Sequence, residues 1–201
     1  MKVFIFLYPV KEYINQFLEI DAKNARVHMP GSDLYIKNRL EVYKPRYIND
    51  LITARYRNNG FQVAWLFPGC GAGFQTACVS DKSEHVDILP GDLILPSFVD
   101  LGKHADAKRV LQSLMIDKSI IDEVVLGGYH QWDCVDNLAS WFHYYGVTVR
   151  VDEDLTEFYY RMMRTDGIPL IRKESGLDKL SGYLLEDRRR LTINSPWIEQ
   201  I

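Results

Sequence analysis

Short apolar runs punctuate the chain: Val3-Phe4-Ile5-Phe6-Leu7, Phe61-Gln62-Val63-Ala64-Trp65-Leu66-Phe67, Leu93-Ile94-Leu95, Val124-Val125-Leu126 and Val147-Thr148-Val149-Arg150-Val151. Most lack the polar alternation of a half-exposed strand, as strands covered on both faces of a parallel sheet require. Between them, apolar residues recur at helical spacing. Tyr13, Ile14, Phe17 and Leu18 share a face in residues 11–20, and residues 21–33 read as a loop around Pro30-Gly31-Ser32. A longer helical stretch, broken at Pro45, carries Ile48, Leu51, Ile52 and Tyr56 and stops at Asn58-Asn59-Gly60, a C-capping signal. Further helices are predicted over residues 105–115, with Val110, Leu111 and Leu114 facing the sheet, over 134–145, closed by Gly146, and over 155–164. Leu170-Ile171 marks one more edge strand, and Pro196-Trp197-Ile198 an apolar anchor for the body or a partner subunit. Alternating strands and helices of this kind predict a three-layer, doubly wound, mostly parallel α/β sheet of Rossmann type. The expected organisation is one domain over 1–201, with a core at 1–164 and a C-terminal extension at 165–201.

Composition narrows the partners. The 201 residues are 47% hydrophobic and 25% charged, with a formal net charge of −3, which describes an ordinary globular domain and argues against nucleic acid held through bulk charge. The one tight basic run, Arg188-Arg189-Arg190, follows Glu186 and Asp187 and reads as a solvated helix end. The apolar run after Lys2 is too short for a signal peptide or a membrane span, so a cytoplasmic, non-membrane protein is expected. Cys70, Cys78 and Cys134 form no CxxC and leave one thiol over under any pairing, as in a reducing compartment. The histidines are scattered without ligand spacing, so no metal or other cofactor is expected.

The chemistry concentrates in Glu123-Val124-Val125-Leu126-Gly127-Gly128-Tyr129-His130-Gln131-Trp132-Asp133-Cys134-Val135. It reads as a buried strand, a tight crossing on two glycines, and a thiol where a helix begins. A helix N-terminus favours anions and eases thiolate formation. The bland alternative is a small buried cysteine at a packed corner.

From Gly128 to Val135, with Leu138-Ala139 and Gly146-Val147-Thr148-Val149 following, the chain resembles the nucleophile corner of the isochorismatase-like cysteine hydrolases, which include the nicotinamidases. Ile48-Asn49-Asp50-Leu51-Ile52 through Ala54-Arg55 to Gly60-Phe61-Gln62-Val63 is similar to that family's first crossover helix and second strand. Leu89-Pro90-Gly91-Asp92-Leu93-Ile94-Leu95 is similar to the run leading to its catalytic lysine. The resemblance covers residues 2–152. It implies an isochorismatase-like fold, with Cys134 as nucleophile, a strand-end aspartate as its base, a lysine at the end of the third strand, and a cis peptide near Tyr129–His130. The aspartate position reads Leu7 or Tyr8 here, and the lysine position Pro96. Neutral tyrosine and proline cannot replace those groups. The Asp-x-His-x-x-His metal set of nicotinamidases is also absent from the sequence.

General-base help contributes about 10²–10⁴-fold, so the reading is a protein of this fold without Asp-Lys-Cys hydrolysis, acting as a small-ligand binder or a homo-oligomeric scaffold. Tyr8, Pro96, Tyr129 and Trp132 are the candidate ligand-binding residues. The alternative is a divergent hydrolase of amide, imine or vinyl-ether substrates, with Cys134, His130 and Lys103 as candidate catalytic residues. A third reading takes Gly69-Cys70-Gly71-Ala72-Gly73 as resembling the S-adenosylmethionine loop of methyltransferases, although Phe67 stands where an acidic residue is usual. The aromatic sets Trp141, Phe142, Tyr144, Tyr145 and Phe158-Tyr159-Tyr160 divide between core and a subunit interface.

Overall fold

The computed structural model describes residues 1–9, 45–69, 86–99, 103–114, 121–129, 134–152, 155–156 and 196–197. Within them lie strand β1 (Lys2–Leu7), helix α1 (Pro45–Arg55), β2 (Gln62–Phe67), β3 (Leu93–Pro96), α2 (Ala107–Leu114), β4 (Glu123–Gly128), α3 (Asp136–Tyr144) and β5 (Val149–Val151). The strands form one sheet in the order β3-β2-β1-β4-β5, and all of its pairings are parallel. The expected α/β sheet is therefore observed. The helix over residues 11–20, the loop at 21–33, nearly all of the helix at 155–164 and the strand at Leu170-Ile171 lie outside the described residues.

Burial on both faces accounts for the unbroken apolar runs. Val3, Ile5, Leu7, Ala64, Leu66, Val124 and Leu126 join the cluster beneath α2 and α3, where Val110, Leu114, Leu138, Ala139 and Phe142 close over them. Phe4, Phe6, Val63, Trp65, Phe67 and Val125 face the other way, onto Ile48, Ile52 and Tyr56 of α1 and the turn after it. Each strand alternates, but both sets of side chains enter a core.

Pro45 is the first described residue of α1, where a first-turn residue has no intrahelical N–H bond to lose; the stretch before it lies outside the described residues. Past α1, Gly60 takes the left-handed conformation (φ 76°) that Asn58-Asn59-Gly60 predicted. At the end of α3, Gly146 (φ 80°) does the same, and the Val147 N–H returns to the Phe142 carbonyl at 3.0 Å, the long bond of a Schellman cap. No helix among the described residues is long and apolar enough to cross a membrane.

Two polar ties hold the layers. Leu89-Pro90-Gly91-Asp92 forms a turn with Gly91 at φ 95° and the Asp92 N–H on the Leu89 carbonyl at 3.0 Å, as Pro-Gly at its centre favours. The Asp92 carboxylate takes Nε and Nη2 of Arg57 at 3.2 and 2.6 Å and the Trp65 indole N–H at 2.8 Å. The second tie joins α1 to the end of β5: Arg55 grips both Asp152 oxygens, at 3.0 and 2.9 Å, and the Tyr56 hydroxyl donates to the same carboxylate at 2.6 Å.

Burial, and then the Asp152 carboxylate, push the Tyr56 phenol well above its ordinary range. In the unfolded chain that phenol ionises near pH ~10, while the native one keeps its proton. Above that pH the unfolded state holds fewer protons, so this contribution is whole below pH ~10 and is lost as pH rises. Tyr56→Phe is expected to cost about 1.5–3 kcal/mol at pH 7. Its deficit against the parent protein should shrink by ~1.4 kcal/mol per pH unit above ~10. Urea melts of both proteins at pH 7 and 11 check this; a deficit unchanged with pH contradicts it.

Candidate functional site

In the strand order β3-β2-β1-β4-β5, the direction of winding reverses between β1 and β4. Open α/β sheets bind ligands outside the carboxyl ends of their strands at such a reversal. The candidate site is therefore the crevice where β1 ends at Leu7 and β4 at Gly128.

Here the backbone is under strain. Tyr8, just after β1, has φ 54°, and Phe98, just after β3, has φ 60°; they are the two non-glycine residues with positive φ among the described residues. Each such residue costs about 1–3 kcal/mol, and such residues gather at ligand clamps and active sites. Tyr8 is held there by its N–H, which donates to the Leu66 carbonyl at 2.8 Å. Its buried ring enters the cluster beneath α2 and α3, and its hydroxyl donates to the Lys103 carbonyl at 3.3 Å.

Gly127 and Gly128 continue β4 opposite Phe6 and Leu7. Tyr129 follows, its N–H on the Leu7 carbonyl at 3.2 Å. Its ring turns to the α1 face, 1% exposed, and meets Phe6 edge-on at 5.7 Å. The tyrosines after these neighbouring strands thus enter opposite layers. Cys134 is not in a disulfide; it is 8% exposed and lies in the same apolar cluster as Tyr8, Leu95, Ala105 and Leu138. Cys134 and Val135 are already wound in a wide helical turn before α3, and Val135 has φ −66° and ψ −48°.

Pro96 ends β3 opposite Phe67 and is partly buried. Next to it, Ser97 is fully buried, a residue that the sequence did not single out. Its hydroxyl accepts the Gly69 N–H at 3.2 Å and donates to the Val99 carbonyl at 3.0 Å. Its carbonyl accepts the Asp106 N–H at 2.9 Å, and Asp106 in turn takes the Arg109 N–H at 3.1 Å at the start of α2. Asp106, which precedes the Ala107-Lys108-Arg109 turn as an N-cap should, carries the one part of this tie that a sequence can show. Ser97 thus ties together the loops after β2 and β3, and the Lys103 side chain is exposed.

The structure therefore brings Tyr8 and Cys134 into one cluster and the Lys103 backbone to Tyr8, while the Tyr129 ring goes to the other layer. His130 and Trp132, the Tyr129–His130 peptide, and residues 70–73 of the glycine-rich loop lie outside the described residues. Among the described residues, no three His, Cys, Asp or Glu side chains gather as a metal would need.

Solved structures similar to the chain include an isochorismatase family protein, at 15% identity and TM-score 0.47 over 77% of this chain and 80% of that one. The pyrazinamidase of Pyrococcus horikoshii, solved with zinc, is similar at 11% identity and TM-score 0.49 over 100% of this chain and 99% of that one. N-carbamoylsarcosine amidase from Thermoplasma acidophilum is similar at 16% identity and TM-score 0.43, over 90% and 99% respectively. No family model matches the chain, and no curated protein matches it.

Proposed function

We propose that this chain binds a small ligand in the crevice at the ends of β1 and β4, on an isochorismatase-like body that has given up Asp-Lys-Cys hydrolysis. The strain at Tyr8 carries this reading. A bulky residue is held in a costly backbone conformation beside the reversal of the sheet, and its phenol stands at one of the two positions where the resemblance would put the base. At the end of β3, Pro96 and the loop-tying Ser97 offer no ammonium. Tyr8 and Pro96 would line the crevice, with Tyr129 supporting its floor from the other layer and Trp132 beside it.

The exposed rings of Trp141, Tyr144 and Tyr145, packed on one another at 5.7–5.9 Å, support assembly of several copies. Cys134, which forms no disulfide, suits a reducing compartment such as the cytoplasm.

One contact favours a second reading, a cysteine hydrolase. The Tyr8 hydroxyl draws the backbone of Lys103 to the end of β1, from where its ammonium, or His130, would serve Cys134. Alkylation of Cys134 against pH, followed by peptide mass spectrometry, separates the two. The binder requires a slow thiol with no reactive step below pH ~8, and a metabolite-library thermal shift that survives Cys134→Ala. A fast thiolate at pH 6–7, with turnover of an amide or imine abolished by Cys134→Ala, would instead establish the enzyme.

A further inference from the structure

We infer that Trp197 is a strap that keeps the Cys134 turn closed. The contact joins residues 61 positions apart. Its indole N–H donates to Oδ1 of Asp136 at 2.5 Å, and its carbonyl accepts the Val151 N–H at 3.1 Å. The ring is 7% exposed and belongs to the same apolar cluster as Cys134, Val135 and Leu138. It also lies 5.8 Å from the His143 ring, seven residues beyond Asp136 and so on the same face of α3. One residue from the far end of the chain thus touches the first and last turns of the helix that follows the thiol, and the strand after it.

The entry to that helix is irregular. Cys134 and Val135 form a wide turn rather than a regular one, and no side chain of Val135 bonds to the helix backbone to hold it. Asp136 is two residues from Cys134, and its charge-assisted bond to the indole fixes this turn from the side. Freed of Trp197, the turn opens locally at far lower cost than the sheet beneath it, and the thiol comes into water. The strap governs thiol access whether or not the crevice binds a ligand, so its test reads the thiol alone.

Native-state alkylation of Cys134, resolved by peptide mass spectrometry, is measured in full-length Trp197→Ala and Trp197→Phe and compared with Tyr56→Phe, which weakens the remote tie between α1 and β5. Cys134 should react about tenfold faster in Trp197→Ala than in Tyr56→Phe, compared under conditions of equal global stability. Trp197→Phe, which keeps a ring but lacks the N–H, should fall between them; it carries the comparison alone if the alanine variant does not fold. Equal rates in the Trp197 and Tyr56 variants, or rates that follow melting temperature alone, overturn the strap.

Discussion

Gly128→Ala is expected to prevent the sheet from forming. A Cβ at this position would lie 2.2 Å from the Leu7 carbonyl oxygen and 2.5 Å from the Leu7 nitrogen. Both obstacles are main chain in the neighbouring central strand, so no rotamer change relieves them. The glycine also holds φ 98°, where any side chain adds torsional cost. To admit the methyl group, β1 and β4 must separate where Tyr129 bonds to Leu7 and the crevice begins. A loss above ~4–5 kcal/mol is in the range of whole-domain stability for many proteins, so the variant should be insoluble or lack a cooperative melt. Gly146→Ala supplies the contrast. Its φ is 80°, but nothing lies within 4 Å of the added carbon, so only the left-handed cost of about 1–2 kcal/mol remains. Parallel thermal melts of the two variants decide the matter; a Gly128→Ala protein that melts as cooperatively as Gly146→Ala would show that the strands are not held this closely.

Asp92→Ala should have the next largest effect, about 3–5 kcal/mol. The carboxylate is 6% exposed and the Arg57 side chain 15%. Asp92 Oδ2 alone receives the Arg57 guanidinium, the Trp65 indole and the Leu89 N–H. Removing it strands a nearly buried cation and orphans a buried indole donor. Arg57 keeps the Thr53 hydroxyl at 2.9 Å and the Asp87 carbonyl at 3.4 Å, neither of which neutralises its charge. Removing both partners is different, because an apolar pair has no stranded ion. Asp92→Leu with Arg57→Met should therefore recover part of the loss. Urea denaturation of the single and double variants measures this, and a double variant as unstable as the sum of its parts would contradict the pairing.

How far the sequence could be read depended on whether a residue's role is local. Val3 to Leu7 and Val63 to Phe67 were legible as central strands because burial on both faces leaves an unbroken apolar run. Gly60 and Gly146 were legible as helix ends because only their own backbone angles matter. The Gly127-Gly128 pair misled: two glycines look like the end of a strand, yet both stay in the ladder opposite Phe6 and Leu7. Crowding explains their presence, since a Cβ on Gly127 would meet Leu155 and Phe4 at 3.1 Å. β5 is shorter than its apolar run because Val147 serves the cap of α3 instead of the sheet. Asp92 could be seen only within a motif, since its partners Arg57 and Trp65 stand 35 and 27 residues away. At the site, the residue types at the ends of β1 and β3 were visible in the sequence. The left-handed bend of Tyr8 and the tying role of Ser97 were not, because neighbouring strands and loops impose them. Trp197 was legible as an anchor, but its mooring at Asp136 was not.

The bend at Tyr8 also bears on what this corner can be converted into. Aspartate and asparagine enter the left-handed region several times more readily than most other residues. An acid grafted at residue 8 would inherit a main-chain setting that suits it better than the present occupant, at the expense of the link from the Tyr8 hydroxyl to residue 103. Placing an acid at this corner is therefore a problem of supplying charge beside the sulfur, since the path of the polypeptide there suits the exchange.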